Sequence, residues 1–546
     1  MTYELFVTVL ICVAVSIFVT MFFRHYGVFR FPPASVLILL INACIPFIMV
    51  IGLLPYDVSL SLFGSLPTYR HSLLVAFQVF YWVSNIMSFV IAPVTVYALS
   101  YSRTISRKHR IFMAIYDNII FYVIVLAMVI IGLIILMANG TLTLSSIPSL
   151  IVALTNMYGL LIFCFLMGYG LVKYPENLWK MSEPKPRYFY YLKRIAHENH
   201  VLKRAVSNGR RVLELCFKTR EFTVGEVHEL YNVQGIPREA ELTRLTYELP
   251  NNFEEDFHHK DVDRMQQINW EVATIQNMED FFILMDQVSE SITQANKYIV
   301  YSGEQASKAL HEMCDLRDGS FRAKSKIILL KISAVLTAIM SVIVLWGELV
   351  RMFLPDISVF HQLSHLKISP AISILFITTP ILMFQTYIGS WSLTHVRIGS
   401  FFRFIEGATN VRTLYYWTSV ISKLLPTIGY HYLTQIEATQ SQFVEVMGVM
   451  DKIPFLGREL VTYSPIVLFF IIACVVLNVW DKILIFVGLK KLTFNDKEFN
   501  EADMLKGEDL LRNIDPDVDR ILMEDTNLCV KPFSQETILD PLTFKI

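Results

Sequence analysis

The sequence predicts an all-α polytopic membrane protein: about nine transmembrane helices, with a long cytosolic coiled-coil insertion between helices five and six. Three observations predict it. The 546 residues are 54% hydrophobic and 17% charged, with a mean hydropathy of +0.47, whereas a soluble domain carries about 25% charged residues. Nine apolar runs approach or exceed the roughly 20 helical residues that a hydrocarbon core requires. Charge is gathered in one central block and one tail. The formal net charge of -1 offers nucleic acid no attraction, and none is expected as a partner.

The runs lie near 4–23, 34–54, 73–99, 118–138, 147–172, 327–350, 370–393, 411–435 and 464–487. The first lacks the basic start and small-residue cleavage site of a secretory signal, so it reads as a retained anchor. The third exceeds the bilayer thickness, and Pro93 is its expected bend. The eighth is the least apolar, because it holds Lys423, Tyr430 and His431. Four domains follow: 1–172 with helices one to five, 173–326 as the insert, 327–487 with helices six to nine, and 488–546 as an acidic cytosolic tail. Basic residues orient the chain. Arg24 and Arg30 follow the first run, Arg103, Arg107, Lys108 and Arg110 the third, Arg397 and Arg403 the seventh, and Lys490 and Lys491 the ninth. The N-terminus is therefore expected outside or lumenal and the C-terminus in the cytosol. Asn139-Gly140-Thr141 is then an N-glycosylation triplet on the outer side.

Within the insert, Leu192, Ile195, Leu202, Val206 and Leu213 recur near heptad spacing, interrupted by Asn199 and Gly209. Gly225, Gly235, Pro237 and Pro250 mark a linker. A second seam follows within 261–313: Met285, Val288, Ile292, Ala295, Ile299, Ala306, Ala309 and Met313, close to a 3.5-residue period. An amphipathic helix packed under the membrane domain would show this pattern. So would an antiparallel coiled-coil hairpin, the reading preferred here. With Gly303 and Gly319 as the weak points, the second arm has room to run on towards the sixth span. The tail reads as flexible, with helix near Ala502 to Asn513, and Asp515 to Arg520 as a solvated acidic run.

"GYGLVKYPENLW", Gly168 to Trp179, closes the fifth run. Its G-x-G follows no strand and is weak evidence for a dinucleotide loop. A membrane reading accounts for each residue. Gly168 and Gly170 let neighbouring helices approach, Lys173 snorkels to headgroups, Pro175 stops or redirects the helix, and Trp179 suits the interface. This stretch resembles the exit of the fifth span in the limb-region-1-like (LMBR) membrane proteins. "LLPYDVSLSLFG" (Leu53 to Gly64), with Pro55 and Asp57, resembles their Pro-x-Asp-Val element after the second span. "KLLPTIGYHYL" (Lys423 to Leu433), with Pro426, resembles their eighth-span pattern, Lys423 standing where arginine is expected. "FYWVSNIMSFVIAPVTVY" (Phe80 to Tyr97) is similar to the third span of the type-two subgroup of limb-region-1 domain-containing proteins. The resemblance covers the spans and the order around the long loop, not the tail. It implies nine spans, an outside N-terminus, a cytosolic C-terminus and a coiled-coil loop between spans five and six. It also implies receptor-like roles, or partnership in endocytosis, signalling or lysosomal cobalamin export, and brings no established enzymatic activity.

Ionisable groups inside a membrane are functional candidates. Lys423 and His431 lie in the eighth run, Asp57 at the outer end of the second and Asn85 in the third. Glu348 and Arg351 end the sixth and are spaced to pair. Each has a packing alternative: an ion pair or carbonyl bond for Lys423, a cap or turn for Asp57, and a satisfied packing histidine for His431. Asn85, Gln78, Asn156 and Gln385 suit interhelical hydrogen bonds. Pro46, Pro93, Pro380 and Pro426 interrupt four runs, as breaks lining a cavity do, although membrane helices tolerate proline in any case. The seven cysteines form no CxxC pair and no Cys/His cluster with zinc spacing. No G-x-S-x-G, H-E-x-x-H or Walker loop occurs. No catalytic, cofactor or metal residues are assigned, and no enzyme is expected. The functional expectation is a receptor or adaptor in the lipid bilayer of the plasma membrane or an endolysosomal membrane. It would link a small-molecule or lipid ligand, or a membrane partner, to cytosolic trafficking or signalling proteins through residues 188–313. The alternative is a transporter, or the membrane subunit or escort of one, for a small or lipid-like substrate.

Overall fold

The computed structural model describes residues 2–63, 67–100, 107–138, 147–218, 278–366, 368–395, 404–407, 409–438, 440–447, 458–477, 479, 501–515, 518 and 520–522. Among them there is no strand. The helices are α1 (Thr2–His25), α2 (Pro33–Phe47), α3 (Leu54–Phe63), α4 (Pro67–Ile86), α5 (Ala92–Ser100), α6 (Arg107–Ala138), α7 (Ile147–Ser182), α8 (Pro184–Lys218), α9 (Met278–Arg317) and α10 (Phe321–Arg351). They continue as α11 (Val359–Ser364), α12 (Pro370–Ser373), α13 (Thr379–His395), α14 (Val411–Gln435), α15 (Gln442–Met447), α16 (Arg458–Val476) and α17 (Glu501–Ile514). Two compact units emerge. One comprises Met1–Tyr101, Ile105–Glu176 and Val335–Thr493, the other Ser102–Thr104, Asn177–Ala334 and Phe494–Ile546.

Six described stretches are long and apolar enough to cross a membrane: Tyr3–His25, Pro33–Leu62, Arg70–Leu99, Ala153–Ser182, Phe321–Arg351 and Pro370–His395. They coincide with the first, second, third, fifth, sixth and seventh predicted runs. Helix α6 covers the fourth and α14 the eighth. Apolar Leu460–Val476 is shorter, and the ninth run beyond residue 479 lies outside the described residues. So do Asn139, the 219–277 linker, Arg103, Arg397, Arg403, Lys490 and Lys491.

Three spans contain a π-helical turn: Ile48–Leu53, Met87–Ile91 and Ile374–Thr378. A proline stands two residues after each: Pro55, Pro93 and Pro380. Proline has no N–H for the carbonyl four residues back, and the wider turn absorbs that mismatch. At Pro93 the carbonyl deprived of its α-helical partner is that of Phe89, which accepts the Tyr122 hydroxyl of α6. At the position of the predicted bend the helix thus changes register through a π turn. Of the two expectations for Pro175, stopping the helix is not met: α7 runs through it to Ser182.

Gly168 and Gly170 do what small residues in lipid are expected to do. A Cβ on Gly168 would come within 2.9 Å of Ile471 Cγ2 on α16, and one on Gly170 within 2.7 Å of Ile388 Cγ2 on α13, besides meeting Ser392 Oγ. Gly347 is different: its added Cβ would have ordinary contacts at 3.4 Å. Gly170→Ala should therefore destabilise the purified protein by about 1–3 kcal/mol, read as a lowered thermal midpoint, while Gly347→Ala should leave that midpoint nearly unchanged.

In the second unit α8 and α9 pack side by side in opposite directions. Arg187 pairs with Glu312, Arg194 donates to the Tyr298 hydroxyl (2.7 Å), and Ala205 and Val206 pack with Val288 and Ile292. Leu192 and Ile195 meet Ala306, Ala309 and Leu310, so both predicted seams face inward where side chains are described. Gly303 stays helical, but Gly319 (φ 79°) ends the arm: Ser320 N–H bonds back to Asp315 O at 2.9 Å, and α10 starts at Phe321.

The helix expected near Ala502 to Asn513 is present as α17 (Glu501–Ile514). It lies on α8, with Gly507 against the Leu192 carbonyl and Leu511 fully buried. Asp515, expected to be solvated, accepts the Ser307 hydroxyl at 2.8 Å. The tail from residue 523 onward lies outside the described residues.

Partial burial alone pushes the Glu312 carboxyl up, but hydrogen bonds and charge from Lys326 and Arg187 outweigh it and hold the group below its ordinary value of 4.5. A depressed acid stabilises the fold above its unfolded pKa, and that contribution is lost as pH falls through the folded one. The α8–α9 unit should accordingly weaken as pH drops below about 4.5, and Glu312→Gln should flatten that part of the stability–pH curve measured by helical circular dichroism.

Candidate functional site

Helix α14 organises the first unit. It is capped by Asn410, whose side chain accepts the Arg412 N–H at 3.1 Å, and nearly all of its residues are buried. Lys423, Thr427, His431 and Gln435 recur every four residues, which puts them on one face. Its neighbours come close because small residues allow it. A Cβ on Gly159 of α7 would lie 2.5 Å from Thr427 Oγ1 and 2.9 Å from the Lys423 carbonyl, and one on Gly389 of α13 would lie 2.8 Å from Leu424 Cδ2.

A dense polar cluster joins α10, α14 and α16. Glu348 is 1% exposed and His431 1% exposed. The Glu348 carboxylate accepts from Gln435 Nε2 at 2.8 Å, faces His431 Nδ1 at 3.1 Å, and pairs with Arg351 at 3.1 Å. Arg351 also donates to Thr434 Oγ1 (3.0 Å), Val461 O (3.0 Å) and Ser464 Oγ (3.1 Å). One carboxylate and one guanidinium thus tie three helices. The His431 ring lies 4.2 Å from that of Phe163; among the described residues its Nε2 has no partner, and the residue lines a small cavity with Asn156, Thr427 and Met447.

Lys423 sits one turn below Thr427, 5% exposed. Its ammonium donates to Asn85 Oδ1 and stands 4.0 Å from the centre of the Phe89 ring, a cation–π contact. Asn85 Nδ2 in turn donates to the Tyr81 carbonyl at 2.9 Å. Further links fasten α14 to its surroundings: Asn42 to Thr418 (2.9 Å), Arg412 to the Leu99 carbonyl (2.9 Å), and Ser88 to Ser422.

Asp57 is also buried, 1% exposed. It caps a helix far along the chain rather than its own. Its carboxylate accepts the Ser441 hydroxyl (2.5 Å) and the backbone N–H groups of Gln442 (3.0 Å) and Phe443 (2.9 Å), at the start of α15. Pro55, two residues earlier, follows the π turn that aims Asp57 there.

The structure gathers Glu348, Arg351 and His431 into one cluster, pairs Lys423 with Asn85, and holds Asp57 apart from both. Pro426 lies within continuous α14. Lys173 bonds Glu176 at 2.8 Å, and Trp179 is half exposed with Lys331 over its ring at 5.3 Å. Asn156 accepts the Tyr81 hydroxyl (3.2 Å), Gln385 is buried, and Gln78 is exposed. Sequence reasoning missed Gln435, Thr434, Ser441, Ser464 and Gly159. The four-residue polar repeat along α14 was the available signal for Gln435. Also unforeseen is the convergence of Asp356, His361 and Glu437 near the end of α14.

Long apolar helices around a core of satisfied buried charges define a multi-pass helical membrane protein. Its sequence matches the family model of LMBR1-like membrane proteins over residues 4–480, and the chain belongs to that family. It is similar to LMBR1 domain-containing protein 2 homolog A of Dictyostelium discoideum, 22% identical over 80% of this chain and 61% of that protein. It is also similar to proteins called G-protein coupled receptor-associated protein LMBRD2. That of Gallus gallus is 21% identical over 80% of this chain and 69% of the relative; that of Homo sapiens is 20% identical over 80% and 68%. The chain thus spans under two thirds of the Dictyostelium relative's length. No solved structure matches it.

Removing one partner of a buried pair leaves an uncompensated charge, at about 3–5 kcal/mol. Glu348→Ala should lower stability by roughly that amount, and the double replacement Glu348→Met with Arg351→Met should recover most of it in thermal melts of the purified protein. Equal losses in both proteins would contradict the ion pair as the anchor of this cluster.

Proposed function

We propose that this protein is a non-enzymatic, receptor-associated membrane adaptor. Nine spans, with the N-terminus outside and the C-terminus in the cytosol, carry a helical unit that recruits trafficking or signalling proteins. The observation that carries the reading is the α8–α9 pair. Two long helices meet along apolar seams of alanine, leucine and isoleucine, and their other faces are polar. Read as an antiparallel coiled coil, the pair offers an extended polar surface for partner proteins. The intramembrane charges support the same reading. Glu348, Arg351 and Lys423 each find their partners within the protein, which suits helices held in fixed positions. Relatives named for association with G-protein coupled receptors suggest the partner class in the membrane. Transport, the alternative, rests on Lys423, Glu348, Asp57 and the proline-broken spans; the Lys423 ammonium is covered by Asn85 and the Phe89 ring.

Proximity labelling from a tag beside α9 in living cells should enrich a defined set of cytosolic proteins together with a G-protein coupled receptor. Deleting 261–313 should remove the cytosolic set and leave the membrane helices inserted. Labelling that does not change on deletion would overturn the adaptor role of this unit.

A further inference from the structure

We propose that Asp356, His361 and Glu437 form a binding site for one divalent transition-metal ion, with zinc as the preferred occupant. The residues come from three places. Asp356 lies in the 3-10 turn Pro355–Ile357, His361 on α11, and Glu437 in the turn that follows α14. One donor atom from each lies within 4.8 Å of the others, and His361 Nε2 is 3.6 Å from Asp356 Oδ1. Donors around a tetrahedral zinc stand about 3.4 Å apart, given metal–ligand distances of roughly 2.0–2.2 Å. The first pair already has nearly that spacing. Both carboxylates are exposed, so they have rotational freedom to close on an ion.

The chemistry of the set favours zinc over calcium or magnesium, which take oxygen ligands. Two carboxylates and one neutral imidazole balance the charge of a divalent cation and leave a fourth position for water. Among the described residues, neither carboxylate pairs with lysine or arginine; Asp356 faces the His361 ring. His365 braces the arrangement. Its ring lies 4.2 Å from that of His361, and its Nε2 meets the Ile436 carbonyl at 3.2 Å, next to Glu437.

Glu437 has a backbone feature that makes the proposal testable. Its φ is 55°, in the left-handed region, and the Ala438 N–H closes back on Leu433 O at 3.1 Å. Glycine is the usual residue there. Replacement by glycine removes the carboxylate and relaxes the backbone together, which separates ligand loss from misfolding. An ion at this site would clamp the α10–α13 connection to the end of α14.

The test uses the full chain in detergent, stripped with a chelator and titrated with zinc at neutral pH by calorimetry and thermal melting. The expected result is one saturable zinc per chain and a raised melting temperature, with calcium and magnesium ineffective. His361→Asn and Glu437→Gln should each weaken binding by more than about tenfold. Glu437→Gly should do the same without lowering the metal-free melting temperature. Absence of zinc binding, or binding that survives both Glu437→Gln and His361→Asn, would overturn the proposal.

Discussion

A polar helix buried at the centre of an apolar bundle is the constraint around which the first unit is built. Lipid offers no hydrogen-bond partner, so the charged and amide groups buried on and around α14 depend on protein for one. The neighbours supply many of them. Asn42 comes from α2, Asn85 from α4, Glu348 from α10, and the Val461 carbonyl and Ser464 from α16, where they engage Arg351. Close approach makes these bonds reachable, and glycines make close approach sterically feasible. Gly159 meets α14 directly, and Gly389 lies against Leu424. Interhelical polar bonds of this kind contribute modestly one by one; taken together they fix rotation and register for helices that greasy contacts alone leave free to slide.

The prolines fit the same requirement. Three of them follow π turns, and each removes one backbone donor inside a segment where donors are scarce. The Tyr122 hydroxyl shows how the deficit is made good, by reaching the Phe89 carbonyl from another helix. That π turn also lies beside Lys423, since Phe89 presents its ring face to the ammonium. Backbone irregularity and the intramembrane cation are therefore one local arrangement. Pro55 and Asp57 form a comparable pair, where a turn in one span aims a carboxylate at the N–H groups of α15. The partial positive charge at a helix start favours an anion there.

The second unit is built differently. Helices α8 and α9 are amphipathic, their seams are dominated by small and medium aliphatic side chains, and several of its ion pairs are partly exposed. The tail joins this unit through α17, whose Gly507 lets it settle on the Leu192 carbonyl. A segment that reads as acidic and solvated becomes part of a packed three-helix surface. A partner that binds this surface meets α17 as well as the two long arms.

Much of the membrane architecture was legible along the chain, because a span announces itself by length and apolarity without reference to neighbours. Gly168 and Gly170 were legible for a related reason: a missing side chain inside a lipid-facing run has few other uses. Helix α14 was the hardest to read. Its hydropathy is diluted by the polar residues that its burial permits, so a rule written for lipid-facing helices undervalues it. Pro175 misled because a proline's cost depends on whether tertiary packing absorbs it, and α7 continues regardless. Partners remote in sequence were out of reach: Asp57 with Ser441, Ser307 with Asp515, and Lys423 with Asn85. By itself the sequence determined which segments prefer lipid and which prefer water, since transfer from water is a property of each segment's own side chains. The tertiary structure alone decided which buried charge meets which donor, since those bonds depend on angles and separations that exist only once the helices are packed.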